Sequence, residues 1–370
     1  MKFSCEKNSL LDAISVCIHA VAAKNAGTVL EGLLITAGED VTLTGFNYKT
    51  GIQMSFPALV QERGAVVLGA RIISDIVRKL PDSTVEISAD ERMTVTVKCA
   101  SSEFNLVAYD PAEFPELPQV ERSMGVSLPA LTLKEMINKT LFAVSENENK
   151  PIHTGSLFEV DGSDVTVISV DGYRLAVRRE TIENRTGGSF RFVVPGPTLK
   201  DVVRILPDDP DTVCTIYPER KHALFEFGDV LVTTRLLEGE FLNYKAAVPM
   251  DNPVRLRLSR AALIEAVERV SLIISERIKN PVRCLFEGDT LKLSCITAMG
   301  RSFDECSIPS CGEKIEIGFN NRYLLDALRA VSDEEFVLCL KSGLSPCVLQ
   351  PVEGDRFLYM VLPVRLKAGE

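Results

Sequence analysis

Histidine is scarce in this chain of 370 residues: His19, His153 and His222 are the three it has, and they stand far apart. There is no GxSxG elbow, no GxGxxG or GxxxxGK[ST] loop and no HExxH pair, so the common nucleophile, phosphate-cradle and zinc-helix chemistries are missing. The ten cysteines include no CxxC pair, and Cys306 with Cys311 lacks the second half a zinc site needs. Most lie in apolar runs such as residues 337–340 (VLCL), which reads them as reduced, buried small side chains. With these motifs missing, neither a catalytic residue, a metal nor a cofactor is expected; a hidden site among scattered carboxylates such as Asp110, Asp161 and Asp171 is the alternative. No stretch approaches the ~18 consecutive apolar residues of a membrane span. Residues 1–7 (MKFSCEK) carry no hydrophobic leader segment, so a cytoplasmic protein without a membrane partner is expected.

What is there is a globular composition, 46% hydrophobic and 25% charged with no low-complexity tract, which excludes disorder. At roughly 150 residues per domain the length predicts two or three domains. The total charge of -10 argues, taken alone, against nucleic acid as a partner.

The chain repeats itself. Residues 74–82 read SDIVRKLPD, 200–208 read KDVVRILPD and 325–333 read LDALRAVSD, at offsets of 126 and 125. Each lies between two β-like runs, and each repeat opens on another helical stripe, around Leu10, Leu133 and Leu263. This spacing is too long for a solenoid. It predicts an α+β chain of three tandem similar domains, each with two helices packed on antiparallel sheets. The seams at residues 112–115 (AEFP) and 239–242 (GEFL) lead into Pro-marked stretches, which sets the domains at 1–122, 123–252 and 253–370.

Helices are predicted over 8–19, 70–80, 132–144, 196–206, 259–279 and 321–331. In the 70–80 helix Ile73, Ile76, Val77 and Leu80 form the apolar stripe, and Arg71, Ser74, Asp75 and Arg78 the opposite face. Lys200, Asp201 and Arg204 take that face in the second copy, and Arg322, Asp326 and Arg329 in the third. The six helices are together net basic although the chain is acidic, so the acid lies on strands and loops. One basic helix per repeat, placed the same way, gives a continuous positive surface if the domains close side by side. The competing reading pairs these cations with Asp75, Asp201 and Asp326 as ordinary solvated faces. In the 259–279 helix Leu263, Ala266, Val267, Val270 and Ile274 form the buried stripe, which leaves Leu272 on the charged side and in need of a partner.

Residues 171–177 (DGYRLAV) and 359–366 (YMVLPVRL), within three similar domains, resemble the bacterial DNA polymerase III beta subunits, the sliding clamps. The resemblance runs from Met1 to Leu366. It implies a non-catalytic DNA clamp fold: a head-to-tail homodimeric ring, helices lining a central hole, encircling double-stranded DNA without sequence specificity. Lys24 then matches a DNA-contacting position, beside Arg71, Arg78, Lys200, Arg204, Arg322 and Arg329 from the helix faces.

The resemblance also implies an apolar pocket that takes short peptides from the polymerase III alpha subunit, the clamp loader delta subunit, other DNA polymerases and mismatch-repair proteins. Its matching positions are Gly172, Arg174, Leu175, Asn320, Tyr323 and Leu344, followed by Met360, Val361, Leu362, Pro363, Val364 and Arg365. The family pattern is departed from at Val170, Tyr173, Leu242, Ala246 and Ile278, and residues 367–370 extend past the usual terminus. For the ring interface the resemblance pairs Leu272 and Ile273 with Phe104 and Leu106 of a second copy, with Ile76 and Leu80 nearby. A passive three-domain scaffold that never encircles DNA is the alternative.

Overall fold

The computed structural model describes residues 1–23, 29–183, 187–249, 251–275 and 280–366. Among them are seven α-helices: α1 (Lys7–Cys17), α2 (Ala70–Lys79), α3 (Ala130–Asn138), α4 (Gly196–Ile205), α5 (Tyr244–Ala247), α6 (Arg260–Ser271) and α7 (Asn321–Ala330). The apolar stripes explain their faces. Leu10, Ala13, Ile14 and Cys17 are the buried side of α1, and Leu263, Ala266, Val267 and Val270 that of α6.

Two helices are shorter than their patterns predict. α3 ends at Asn138 because the buried Thr140 turns its Oγ1 back to the carbonyls of Met136 and Ile137, competing with the helical ladder. α6 ends at Ser271, where the buried stripe runs out: Leu272 is 83% exposed and Ile274 only partly buried.

The chain forms two compact units, one of residues 1–133, 183–188 and 200–236, the other of 134–182, 189–199 and 237–370. Every strand pairing among the described residues is antiparallel. The first unit holds an eight-stranded sheet in the order Val126–Pro129, Val213–Pro218, His222–Phe227, Val230–Arg235, Thr50–Phe56, Val41–Phe46, Gly32–Ala37, Gly64–Gly69. The first and middle thirds of the sequence thus share one sheet, joined where Val230 faces Met54 and Thr234 faces Thr50. A five-stranded sheet of the same unit ends on Ser102–Val107, whose outer edge is open.

The second unit repeats the scheme. Its eight-stranded sheet is closed by Arg174–Thr181 pairing with Phe357–Val361, from Arg174 opposite Val361 to Arg178 opposite Phe357. Its four-stranded sheet ends on the open edge Gly300–Ser307. No helix among the described residues is long and apolar enough to cross a membrane.

Nine of the ten cysteines are buried and all ten are free thiols; Cys306 alone is partly exposed. Burial pushes the thiols of Cys5, Cys17 and Cys347 up to about 12. Native protein is therefore expected to titrate about one thiol or fewer with Ellman's reagent at neutral pH, because the thiolate is the reactive form. All ten should react after denaturation. Several fast-reacting native thiols would contradict this packing.

Candidate functional site

In the second unit a tight turn fixes an arginine. The Asp171 carboxylate accepts the backbone N–H groups of Tyr173 at 2.9 Å and Arg174 at 3.0 Å, and Gly172 sits at φ +91°, where a side chain would be strained. Arg174 is thereby turned inward. Its Nε donates to Asp171 Oδ2 at 2.9 Å and its Nη1 to Asp326 Oδ2 at 2.5 Å. The guanidinium lies 4.4 Å from the Tyr323 ring centroid and 5.3 Å from that of Phe142. Tyr173 stacks on Tyr323 at 5.9 Å. Tyr323 is held by the α7 N-cap, Asn320, whose Oδ1 accepts the N–H groups of Arg322 and Tyr323. Burial, then the Asp171 charge, pushes the Tyr323 phenol up.

The C-terminal segment completes the site. After Val361 the Leu362 N–H donates to Tyr173 O, and the Val364 N–H to Gly318 O, both at 2.8 Å. Glycine is required at 318, since a Cβ there would meet Val364 O at 2.7 Å. A cavity of about 270 Å³ results, lined by Leu344, Pro346, Leu362, Pro363 and Arg365. That is smaller than the ~300–1,000 Å³ of small-molecule sites, and it suits one or two apolar side chains of a peptide beside a guanidinium.

The pocket predicted from the sequence is only partly this cavity. Val170, Leu175, Met360 and Val361 are buried, as floor and core rather than wall. Asn320 caps a helix, and Val364 is exposed beside its bridge to Gly318. Leu242 and Ala246 are exposed on and before α5 and do not line the cavity. Ile278 lies outside the described residues. Pro346 was not predicted, although the Leu-Ser-Pro run at 344–346, with Leu344 exposed and Pro346 half-buried, is a turn-and-wall signal.

The helical cations divide between the units. In the first, Arg71, Arg78, Lys200 and Arg204 are all exposed. Arg78 bonds the buried Ser74 at 3.3 Å, so Ser74 does not belong to the exposed face as its spacing suggested. Asp75 pairs with neither Arg71 nor Arg78 among the described residues, while Arg204 lies 3.4 Å from Asp201. Burial pushes the Asp201 carboxyl up, against the pull of His19 at 3.9 Å and of Arg204. In the second unit Arg322 is exposed and Arg329 pairs with Glu268 at 2.7 Å. Asp326 is no counter-ion for them, since it serves Arg174. Lys24 lies outside the described residues.

Two open sheet edges carry apolar side chains. On Ser102–Val107, Phe104 is exposed, Leu106 partly buried, and Val107, which the sequence reading passed over, is 84% exposed. On Gly300–Ser307, Phe303 is 63% exposed, near α6, whose Arg269 pairs with Asp304 and whose end carries the bare Leu272 and the half-buried Ile273. The alternation of the 300–307 segment was the available signal for Phe303. Ile76 and Leu80 need correcting: at 7% and 4% exposure they belong to the core stripe of α2 and offer a partner almost nothing.

Comparison with known proteins bears on these features together. Three family models match in tandem: the N-terminal domain of the DNA polymerase III beta subunit over residues 1–118, its central domain over 127–243 and its C-terminal domain over 245–365. The beta sliding clamp of Synechococcus elongatus is 30% identical, with each chain covered to 100%. The crystal structure of the Bacillus subtilis DNA polymerase sliding clamp superposes with a TM-score of 0.95 at 28% identity, covering 99% of this chain and 100% of that one. A sliding clamp from Bartonella birtlesii, solved bound to griselimycin, gives 0.93 at 27% identity, covering 99% and 100%.

Proposed function

The chain belongs to the DNA polymerase III beta subunit family, and from that premise we propose that it works as a DNA sliding clamp, a non-catalytic ring that encircles duplex DNA and tethers replication proteins to it. The observation that carries this reading is one exposed arginine at the same helical position in each repeat, Arg78, Arg204 and Arg329, at offsets of 126 and 125. A cation repeated at one helical position suits contact with the phosphate backbone, which carries no sequence information. Arg71, Lys200 and Arg322 extend that surface, and Lys24 is proposed as a DNA contact from its matching position in the sequence alone. The three domains have boundaries near residues 122 and 252.

Ring closure uses the two open edges. Ser102–Val107 of one copy adds to Gly300–Ser307 of the other, and Phe104, Leu106 and Val107 cover Leu272, Ile273 and Phe303. The pocket beneath Leu344 and Leu362 takes linear peptides from the polymerase alpha subunit, the loader delta subunit, other polymerases and mismatch-repair proteins. The protein acts in the cytoplasm.

Topological retention tests the reading. Protein placed by a clamp loader on nicked circular duplex should stay bound through gel filtration and be lost once the circle is linearised. Equal retention on circle and line would replace encirclement with ordinary surface binding, and failure on both would favour the passive scaffold.

A further inference from the structure

The eight-stranded sheet of the first unit ends in a basic, aromatic patch that lies outside the helices. Three chain segments meet there side by side. Arg235 N donates to Lys49 O at 2.9 Å, and Leu236 N donates to Lys221 O at 2.8 Å. Arg235 also faces His222 across the neighbouring strand. Lys49, Arg220, Lys221 and Arg235 are exposed, and among the described residues none has a carboxylate within ion-pair distance, in a chain whose total charge is -10. The acid closest in sequence, Glu219, has its Oε1 engaged by the backbone N–H of Glu121 at 2.6 Å.

Two features of the patch cost stability. Thr50 faces Thr234, which puts the like charges of Lys49 and Arg235 directly opposite one another, a destabilising cross-strand pair. Tyr48 sits at φ +66°, a strained conformation for an aromatic residue, with its side chain 65% exposed. Asn47 enforces that turn by accepting the N–H groups of Lys49 and Thr50 at 3.0 and 2.8 Å. The ring of Tyr48 touches Phe46 only at a tilt, with centroids 5.6 Å apart. An aromatic held out under strain among unpaired cations has the composition of a stacking platform on a phosphate-tracking surface.

We propose that Tyr48, Lys49, Arg220, Lys221 and Arg235 form a binding site for single-stranded DNA, with a base stacked on Tyr48 and the backbone phosphates on the four cations. Duplex offers no free base face to the ring, and an acidic protein surface needs no exposed aromatic. None of these five residues is among the helical cations proposed to meet the duplex.

Fluorescence anisotropy of a labelled twenty-residue oligothymidine, which no ring needs to encircle, tests the assignment. Tyr48→Gly should weaken binding about 5- to 150-fold, the range of one lost stack. Its thermal midpoint should hold or rise, because glycine relieves the strained φ. Lys49→Ala with Arg235→Ala should also weaken binding and flatten the log–log salt slope by about 1.4, at ~0.7 per phosphate contact on a single strand. Both variants should keep wild-type retention on nicked circular duplex, which separates this site from encirclement. Unchanged oligothymidine affinity in both variants would overturn the proposal. So would a loss seen only in Arg71→Ala and Lys200→Ala, or a polyglutamate peptide that competes with the oligonucleotide and shows the same losses.

Discussion

Phe303→Asp is expected to split the dimer into monomers of 40.7 kDa and abolish retention on circular DNA. Phe303 and Leu272 are among the most exposed large apolar side chains of the second unit, and both flank the open edge Gly300–Ser307. Covering each contributes ~1.5–3 kcal/mol. A new carboxylate there would be desolvated without a partner, beside Asp304 and Glu305. Together these effects should raise the dissociation constant about a thousandfold or more, since ~1.4 kcal/mol is a factor of ten. Light scattering at micromolar concentration reads the change directly. Val107→Asp, on the complementary edge, should act alike, whereas Ile76→Ala should lower the melting temperature and leave the assembly state unchanged. A Phe303→Asp protein that remains dimeric would remove this edge from the interface.

Arg174→Ala should abolish most peptide binding while the dimer persists. The side chain is buried between two aromatic rings and bonded to two carboxylates, so its loss leaves a cavity and strands Asp171 and Asp326 without their cation. Breaking such a pair from one side costs about 3 kcal/mol, discounted here because Asp326 is partly exposed. The turn that fixes Tyr173, and through Tyr173 O the Leu362 N–H, then loses its anchor. Peptide affinity should fall tenfold or more in a fluorescence titration, with an unchanged light-scattering mass. Arg174→Met separates the causes, because it keeps contact with Phe142 and Tyr323 but not the charge. Full peptide affinity in Arg174→Ala would detach the pocket from this ion-pair cluster.

Much of this architecture was legible in the residues. The threefold SDIVRKLPD-like segment is local, helix stripes have a 3.6-residue period, and Leu272 stood out because it breaks its stripe. What escaped notice depends on partners distant in sequence. Val230–Arg235 joins Thr50–Phe56 across the first repeat boundary, and no local period announces a pairing of that range. Asp326 has the spacing of a surface counter-ion to Arg322 and Arg329, yet its carboxylate goes to Arg174, 152 positions away. An apolar residue reads alike as floor or wall, so Val170, Leu175, Met360 and Val361 were indistinguishable from Leu344 and Leu362. For Ile76 and Leu80 the helix spacing pointed to the core stripe that the structure has, and it was the resemblance that set them near the interface.

The shared sheets bear on how such a ring would fail under load. Within a chain, the first and middle thirds are held by a continuous hydrogen-bonded ladder as well as by covalent backbone, and the same is true where Arg174–Thr181 meets Phe357–Val361. Between copies the proposed junction is an edge contact with the apolar side chains around it, without a covalent tether. Tension around the circumference would therefore part an intermolecular junction before either of those ladders. A closed pair has two such junctions and needs to lose just one to admit DNA, while the second keeps the halves from drifting apart. Gate and hinge would then be the same structure, told apart only by which one is pulled.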